Sequence, residues 1–183
     1  MEVIQSNISG VKLILPEIFN DNRGYFYESY NHIQFEQLVN DGNRINFVQD
    51  NESCSQKNTI RGLHWQTGNY AQAKLVRCVR GAVIDYAIDL RKSSPTFGQY
   101  VHALLTPENK LQFFIPRGFA HGFIALEDDT VFQYKCDNYY NKSSERGLSL
   151  THVNWPISLT DAITSKKDLN YPTLDELVET DLF

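Results

Sequence analysis

Cysteine is scarce: Cys54, Cys78 and Cys136 are odd in number and widely spaced, which excludes a disulfide framework and a zinc knuckle. Reduced thiols in a cytoplasmic protein are the expectation. The ten glycines never fall two apart, so there is no Gly-x-Gly phosphate turn, and no Gly-Lys-Ser/Thr follows one. A Gly-x-Ser-x-Gly nucleophile elbow is also missing. His32, His64, His102, His121 and His152 stand too far apart for a His-x-His or His-Glu-x-x-His ligand pair, so no metal is expected locally. No long apolar run occurs: Val11 to Leu15 is broken by Lys12 and stops at Pro16. With no basic-then-apolar leader, neither secretion nor a membrane span is expected. Positive charge is in deficit, 17 Lys and Arg against 22 Asp and Glu for a net −5. That argues against broad nucleic-acid binding, which needs clustered cations, but not against one nucleotide held by a few.

The chain does have the makings of a core. Its 183 residues are 42% hydrophobic and 13% aromatic, without repeats or low-complexity tracts. A single folded domain over residues 1–183 is expected. Period-two patterning predicts strands at Ile45 to Gln49, Thr59 to Trp65, Ala73 to Val79, Ala82 to Leu90, Gln99 to Leu105, Leu111 to Ile115, Ala120 to Leu126 and Val131 to Cys136. Turn residues separate them, among them Arg80-Gly81, Ser93-Ser94-Pro95 and Pro116-Arg117-Gly118. An all-β sandwich or barrel follows. Asn31 is placed to cap a helix carrying Ile33, Phe35, Leu38 and Val39, ended by Asp41-Gly42. A second short helix is expected after Thr173, through Leu174, Leu177 and Val178.

What remains chemically is acid and base work inside a β barrel. The run Asn58-Thr59-Ile60-Arg61-Gly62-Leu63-His64-Trp65-Gln66 strings a guanidinium, an imidazole and an amide along one β-prone segment, a grouping suited to an anion beside a proton-transfer site. Taken alone, a strand histidine reads equally as a packed residue.

Seven segments in order resemble the dTDP-4-dehydrorhamnose 3,5-epimerase family: Asp21 to Glu28, Phe47 to Asn51, Ile60 to His64, Lys74 to Cys78, Ser94 to Gly98, Ile115 to Phe123 and Tyr134 to Cys136. The resemblance implies a mainly β, cupin-like double-stranded β-helix (a jelly-roll barrel) with a few short helices. It also implies a homodimer working without metal or organic cofactor on a dTDP-linked 4-keto-6-deoxy sugar. By matching position, His64 resembles the family's general base, Asp168 its carboxylate partner, Tyr134 the acid on the opposite face and Lys74 the stabiliser of the enolate. Arg23, Phe26, Glu28, Gln49, Asn51, Arg61, His121, Glu145 and Lys167 resemble substrate-contact positions, and Tyr140 the residue stacking on thymine.

Elementary chemistry is consistent with those roles. A ketone at C4 acidifies the hydrogens on C3 and C5, because the anion left behind spreads onto oxygen. Inversion then needs a proton delivered from the face opposite the base. On local sequence alone, Tyr134 also reads as a core tyrosine, Lys74 as a solvated strand charge, Asp168 as a turn residue and Tyr139-Tyr140 as a surface pair. Three rivals share most of the pattern: a C3-only epimerase, a 3,4-ketoisomerase and a non-catalytic nucleotide-sugar-binding barrel. Trp65, Arg117 and Tyr86 depart from the family pattern. Trp65 and Arg117 are expected to reshape the wall near the sugar, and Tyr86, with Ile84 and Ile88, to repack the barrel interior.

Overall fold

The structure, a computed structural model, describes residues 1–39 and 45–183. Among the described residues, thirteen strands, one α-helix and seven single 3-10 turns make up the regular elements. The strands and the α-helix are β1 (Glu2–Gln5), β2 (Lys12–Leu15), β3 (Phe19–Asp21), β4 (Gly24–Phe26), α1 (His32–Val39), β5 (Gln49–Ser55), β6 (Ile60–Gln66), β7 (Lys74–Arg80), β8 (Val83–Asp89), β9 (Tyr100–Leu105), β10 (Gln112–Ile115), β11 (Phe119–Ala125), β12 (Thr130–Cys136) and β13 (Glu145–Gly147). A first antiparallel sheet runs β1-β2-β10-β7-β12-β5 and a second runs β13-β6-β11-β8-β9. Face to face, they form a cupin-like jelly-roll barrel, where the strand pattern anticipated a sandwich or barrel and the family resemblance implied the cupin-like form.

Alternation explains which side chains enter the barrel. Val76 and Cys78 of β7, Val83 and Ala87 of β8, Phe113 and Ile115 of β10, Phe119 and Phe123 of β11 and Phe132 of β12 form one buried cluster between the sheets. Removing such apolar surface from water is the main stabilising term of a fold of this kind. The outer face of the second sheet is covered by the C-terminal segment, whose Leu148, Leu150 and Val153 pack with Leu63, Trp65, Tyr86 and Ile88. The outer face of the first sheet is covered by α1, whose Phe35 and Val39 meet Ile14, Leu75 and Phe114.

Seven of the eight expected strands form within about a residue of their expected limits. The exception is Ile45 to Gln49, where only Gln49 is in a strand and β5 is instead the polar stretch that follows. An edge strand needs no apolar stripe, because its outward face meets water. Ile45 packs under α1. The helix cap holds, Asn31 Oδ1 accepting from Gln34 N at 3.2 Å. Its expected end at Asp41-Gly42 lies outside the described residues. The second helix is a single 3-10 turn, Leu174–Glu176, closed by a Thr173/Glu176 capping box. Leu177 leaves it in extended conformation. Tyr86 also differs from expectation: it lies outside the barrel, its hydroxyl donating to Asn154 O at 3.0 Å and its ring 4.6 Å from that of Trp155. Both faces of β8 are buried, so alternation alone does not say which is interior; Val83, Asp85 and Ala87 are.

The strands before α1 were not anticipated. Among them, the β3–β4 hairpin belongs to neither large sheet and holds Phe26 67% exposed, beside exposed Phe19 and Tyr25. Its return is fastened to the first sheet, with Arg77 Nη1 donating to Tyr27 Oη at 2.7 Å and Gln112 Nε2 to Ser29 O at 2.6 Å.

Asp89, at the end of β8, organises the Ser94 to Gly98 turn. Its carboxylate accepts from Arg91 Nε (2.8 Å), Arg91 Nη2 (2.7 Å), Ser94 Oγ (2.6 Å) and Thr96 Oγ1 (2.7 Å). Burial would raise its pKa, but these donors hold it down at about 2. A carboxylate depressed in the folded state adds stability above its unfolded pKa, near 4, and loses it as pH falls towards 2. Asp89→Asn is therefore expected to lower unfolding free energy by about 2 kcal/mol at pH 7 and by much less near pH 2, read from urea unfolding at both pH values.

Candidate active site

The other half of the barrel interior is polar. Gln49 and Asn51 of β5, Lys74 of β7 and Tyr134 and Cys136 of β12 come from the first sheet, and His64 and Gln66 of β6 face them from the second. With Trp65, Gln72, Tyr140 and Glu145 they line a cavity of ≈ 400 Å³. An adjoining cavity of ≈ 330 Å³ shares His64, Lys74 and Tyr134 and adds Ser53, Arg61, His121, Phe123, Ser165, Lys167 and Asp168. Both volumes lie in the range of about 300–1,000 Å³ usual for small-molecule sites.

Arg61 and His64 line the same space although they are three residues apart, where a regular strand would turn them to opposite faces. A bulge resolves this. Opposite β11, His64 pairs with His121 and Arg61 with Phe123, so β6 carries one residue more than its partner. The strands close up there through two glycines. A Cβ on Gly62, whose φ is +133°, would stand 2.5 Å from Gly122 Cα, and one on Gly122 would stand 2.8 Å from Arg61 O. No side chain fits at either position.

His64 Nε2 lies 2.7 Å from Asp168 Oδ1. The carboxylate is buried, and Ser165 Oγ accepts from Asp168 N at 3.1 Å, which holds the turn in place. With Nε2–H donating to Asp168, Nδ1 of His64 is the nitrogen left to accept a proton. A second histidine and carboxylate sit alongside: His121 Nε2 is 2.9 Å from Asp85 Oδ2, both groups buried. His121 Nδ1 thereby faces Lys74 Nζ at 3.5 Å. Burial pushes Lys74 down and His121 down, while Asp85 pulls each back up. Burial likewise pushes the Tyr134 phenol up, so it keeps its proton well into alkaline solution. Lys74 Nζ stands 6.0 Å from the centre of the Tyr134 ring. Sequence reading missed Asp85; two carboxylates, Asp85 and Asp89, on one face of an otherwise apolar strand were the available signal.

At the mouth, Tyr140 Oη donates to Glu145 Oε2 at 2.9 Å, and Lys167 Nζ meets the same oxygen at 2.6 Å. Burial opposes ionisation of Glu145, yet these partners hold its pKa below the ordinary value. Gln49 Nε2 donates to Asn51 Oδ1 at 3.0 Å, and Arg61 Nε to Ser55 Oγ at 3.1 Å. Arg23, Phe26 and Glu28 are not brought to this cavity within one chain: Arg23 is paired with Asp21 on the hairpin and Glu28 accepts from Asn31 and Gln34. The side chains of two departures are tied by other contacts. Trp65 borders the cavity, but its indole is packed beneath the C-terminal segment and donates to Asp181 O at 2.7 Å. Arg117 is paired with Asp137 at 2.9 Å.

The arrangement offers a proton acceptor, an un-ionised phenol and an ammonium group around one space. Among the described residues, no group of three or more His, Cys, Asp or Glu is gathered as a metal cluster. No helix among them is long and apolar enough to cross a membrane.

Comparison with known proteins agrees with this chemistry. The profile of the dTDP-4-dehydrorhamnose 3,5-epimerases matches residues 5–176. The enzyme of that name from Escherichia coli is 47% identical, covering 100% of this chain and 99% of its own. The crystal structure of dTDP-6-deoxy-D-glucose-3,5-epimerase from Legionella pneumophila, in complex with dTDP-4-keto-L-rhamnose, is 42% identical, with a TM-score of 0.92 over 99% of this chain and 96% of that one. A 3'-monoepimerase from Streptomyces bikiniensis, in complex with dTDP-quinovose, is 29% identical, with a TM-score of 0.85 over 93% and 86%. A polar half-barrel of this make-up, matched along nearly its whole length, means that the chain belongs to the dTDP-4-dehydrorhamnose 3,5-epimerase family.

Proposed function

We propose that this protein is an isomerase, acting as a single domain, that converts dTDP-4-dehydro-6-deoxy-D-glucose to dTDP-4-dehydro-L-rhamnose. The observation carrying this reading is that the His64 imidazole and the Tyr134 phenol enter one cavity from facing sheets. A hexose ring between them has one group on each side. His64 Nδ1 takes the proton from C3, and the bonding pair moves to the C4 oxygen as an enolate. Tyr134 then gives its proton to the same carbon from the other face, and the electrons return. Once His64 has released its proton to solvent and Tyr134 has regained one, a second cycle inverts C5. Asp168 steadies the imidazolium, and Lys74, with His121 behind it, faces the developing oxyanion.

Tyr140 stacks on the thymine, with Glu145 and Lys167 at the nucleoside end and Gln49 and Asn51 against the sugar. Arg61 meets the diphosphate, to which a guanidinium fork is well matched. Arg23, Phe26 and Glu28 act from the neighbouring chain in a homodimer. Support for that is the β3–β4 hairpin, which projects aromatic side chains away from its own sheets and leaves an edge to be covered. Each site then takes its outer wall from its neighbour, in a cytoplasmic enzyme.

Turnover in heavy water is expected to place deuterium at both C3 and C5 of the product, seen by NMR. Label at C3 alone would indicate a C3-only epimerase, and a shifted carbonyl a ketoisomerase. His64→Asn should lower kcat by about 10²–10⁴-fold while dTDP affinity stays within a few-fold, measured by calorimetry. Retained turnover in that variant would sink the reading.

Lys74 must be charged to stabilise an enolate, and burial lowers its pKa. The alkaline fall in kcat/KM is therefore expected earlier than for an ordinary lysine at about 10.4, and it should move to higher pH in the residual activity of Lys74→Met. Light scattering should give the mass of a dimer at working concentration. Arg23→Ala is expected to raise KM for the nucleotide sugar without changing that mass.

A further inference from the structure

The base has a second neighbour besides its carboxylate. The ring of Tyr171 lies 5.5 Å from that of His64, centre to centre, with the planes at 71°. This is the edge-to-face arrangement that aromatic pairs favour. In β13, Gly147 pairs directly with His64. A side chain there would occupy the space over the imidazole, and an ideal Cβ at Gly147 overlaps the Tyr171 ring. The glycine vacates a cross-strand position that the tyrosine, arriving from the C-terminal segment, fills instead.

Tyr171 is held there by its surroundings. Ser149 N donates to Pro172 O at 2.7 Å, and Leu148 N to Leu63 O at 2.9 Å, so the segments on either side of the contact are tied to β6 and to each other. Its hydroxyl is buried beside the Lys167 ammonium yet closes no hydrogen bond of normal geometry among the described residues. The ring, rather than the hydroxyl, makes the contact with the base.

We propose that Tyr171 is a positioning residue for the catalytic imidazole, clamping His64 in the plane that Asp168 requires, with Gly147 as its seat. This rests on His64 being the base. A hydrogen bond from Nε2 to Asp168 fixes the direction of the imidazole but leaves it free to rock about that bond, and a second ring packed at a steep angle against it removes the rocking. Misplacing a catalytic group by about 1 Å can cost on the order of 10²-fold in rate, so a partial loosening is expected to cost about tenfold.

The test is a double-mutant cycle on the full-length enzyme, reading kcat, KM and dTDP affinity for Tyr171→Ala, Tyr171→Phe, Gly147→Ala and the pair Gly147→Ala/Tyr171→Ala. Tyr171→Ala is expected to lower kcat about tenfold with KM and dTDP affinity within about twofold, and Tyr171→Phe to recover kcat to within about threefold. Gly147→Ala should reproduce the loss, and adding it to Tyr171→Ala should cost little more. An unchanged kcat in Tyr171→Ala, a loss confined to KM, or single losses that multiply in the pair would each overturn the proposal. Should Gly147→Ala fail to fold, the Ala and Phe variants at position 171 decide alone. A His64→Asn control separates the two readings: if it turns over, the base assignment is at fault, whereas if it is inactive and Tyr171→Ala is not impaired, only the clamp falls.

Discussion

Two strands of the second sheet approach so closely that neither can carry a side chain at the crossing. Gly62 stands against Gly122 with no room for a Cβ on either, and the extra residue beside it in β6 changes the phase of the strand. Before the bulge Arg61 faces inward, and after it His64 does. A guanidinium and an imidazole thus come from one short strand to the same space. Without the bulge, one of them would lie under the C-terminal segment among Leu63 and Trp65.

From that arrangement follows a division of labour between two histidines paired across β6 and β11. Each is held by a carboxylate through Nε2, but their surroundings differ. His64 is partly open to the cavity, with Asp168 supplied by a loop. His121 is enclosed, with Asp85 supplied from the neighbouring strand, and its other nitrogen turned to Lys74. Similar pairs in unlike environments are suited to unlike chemistry, and in the function proposed above the open one exchanges protons while the enclosed one backs the ammonium.

Most strands that carry the core were legible because an apolar face repeats along them, and burial of that face is what sets the register. β5 escaped notice because it is an edge strand with polar residues on both sides, and β3 and β4 because they are short and contribute nothing to the core. Tyr86 was assigned to the wrong side since β8 is buried on both, so its alternation has no polar reference. His64, Lys74, Tyr134 and Asp168 were legible through family resemblance, not through spacing. Nothing in the local sequence says that residue 168 returns to residue 64, since that pairing is made by the packing of the C-terminal segment on the second sheet. Asp85 and Tyr171 lacked any motif; their parts depend on what stands opposite them in the folded chain.

The segment that roofs the second sheet also carries Asp168 and Tyr171, the two groups that touch the imidazole. Both groups follow every strand in the chain, since β13 ends at Gly147. One late segment therefore has two tasks, covering the apolar face of the sheet and bracing its histidine, so any loosening of the cover reaches the imidazole as well.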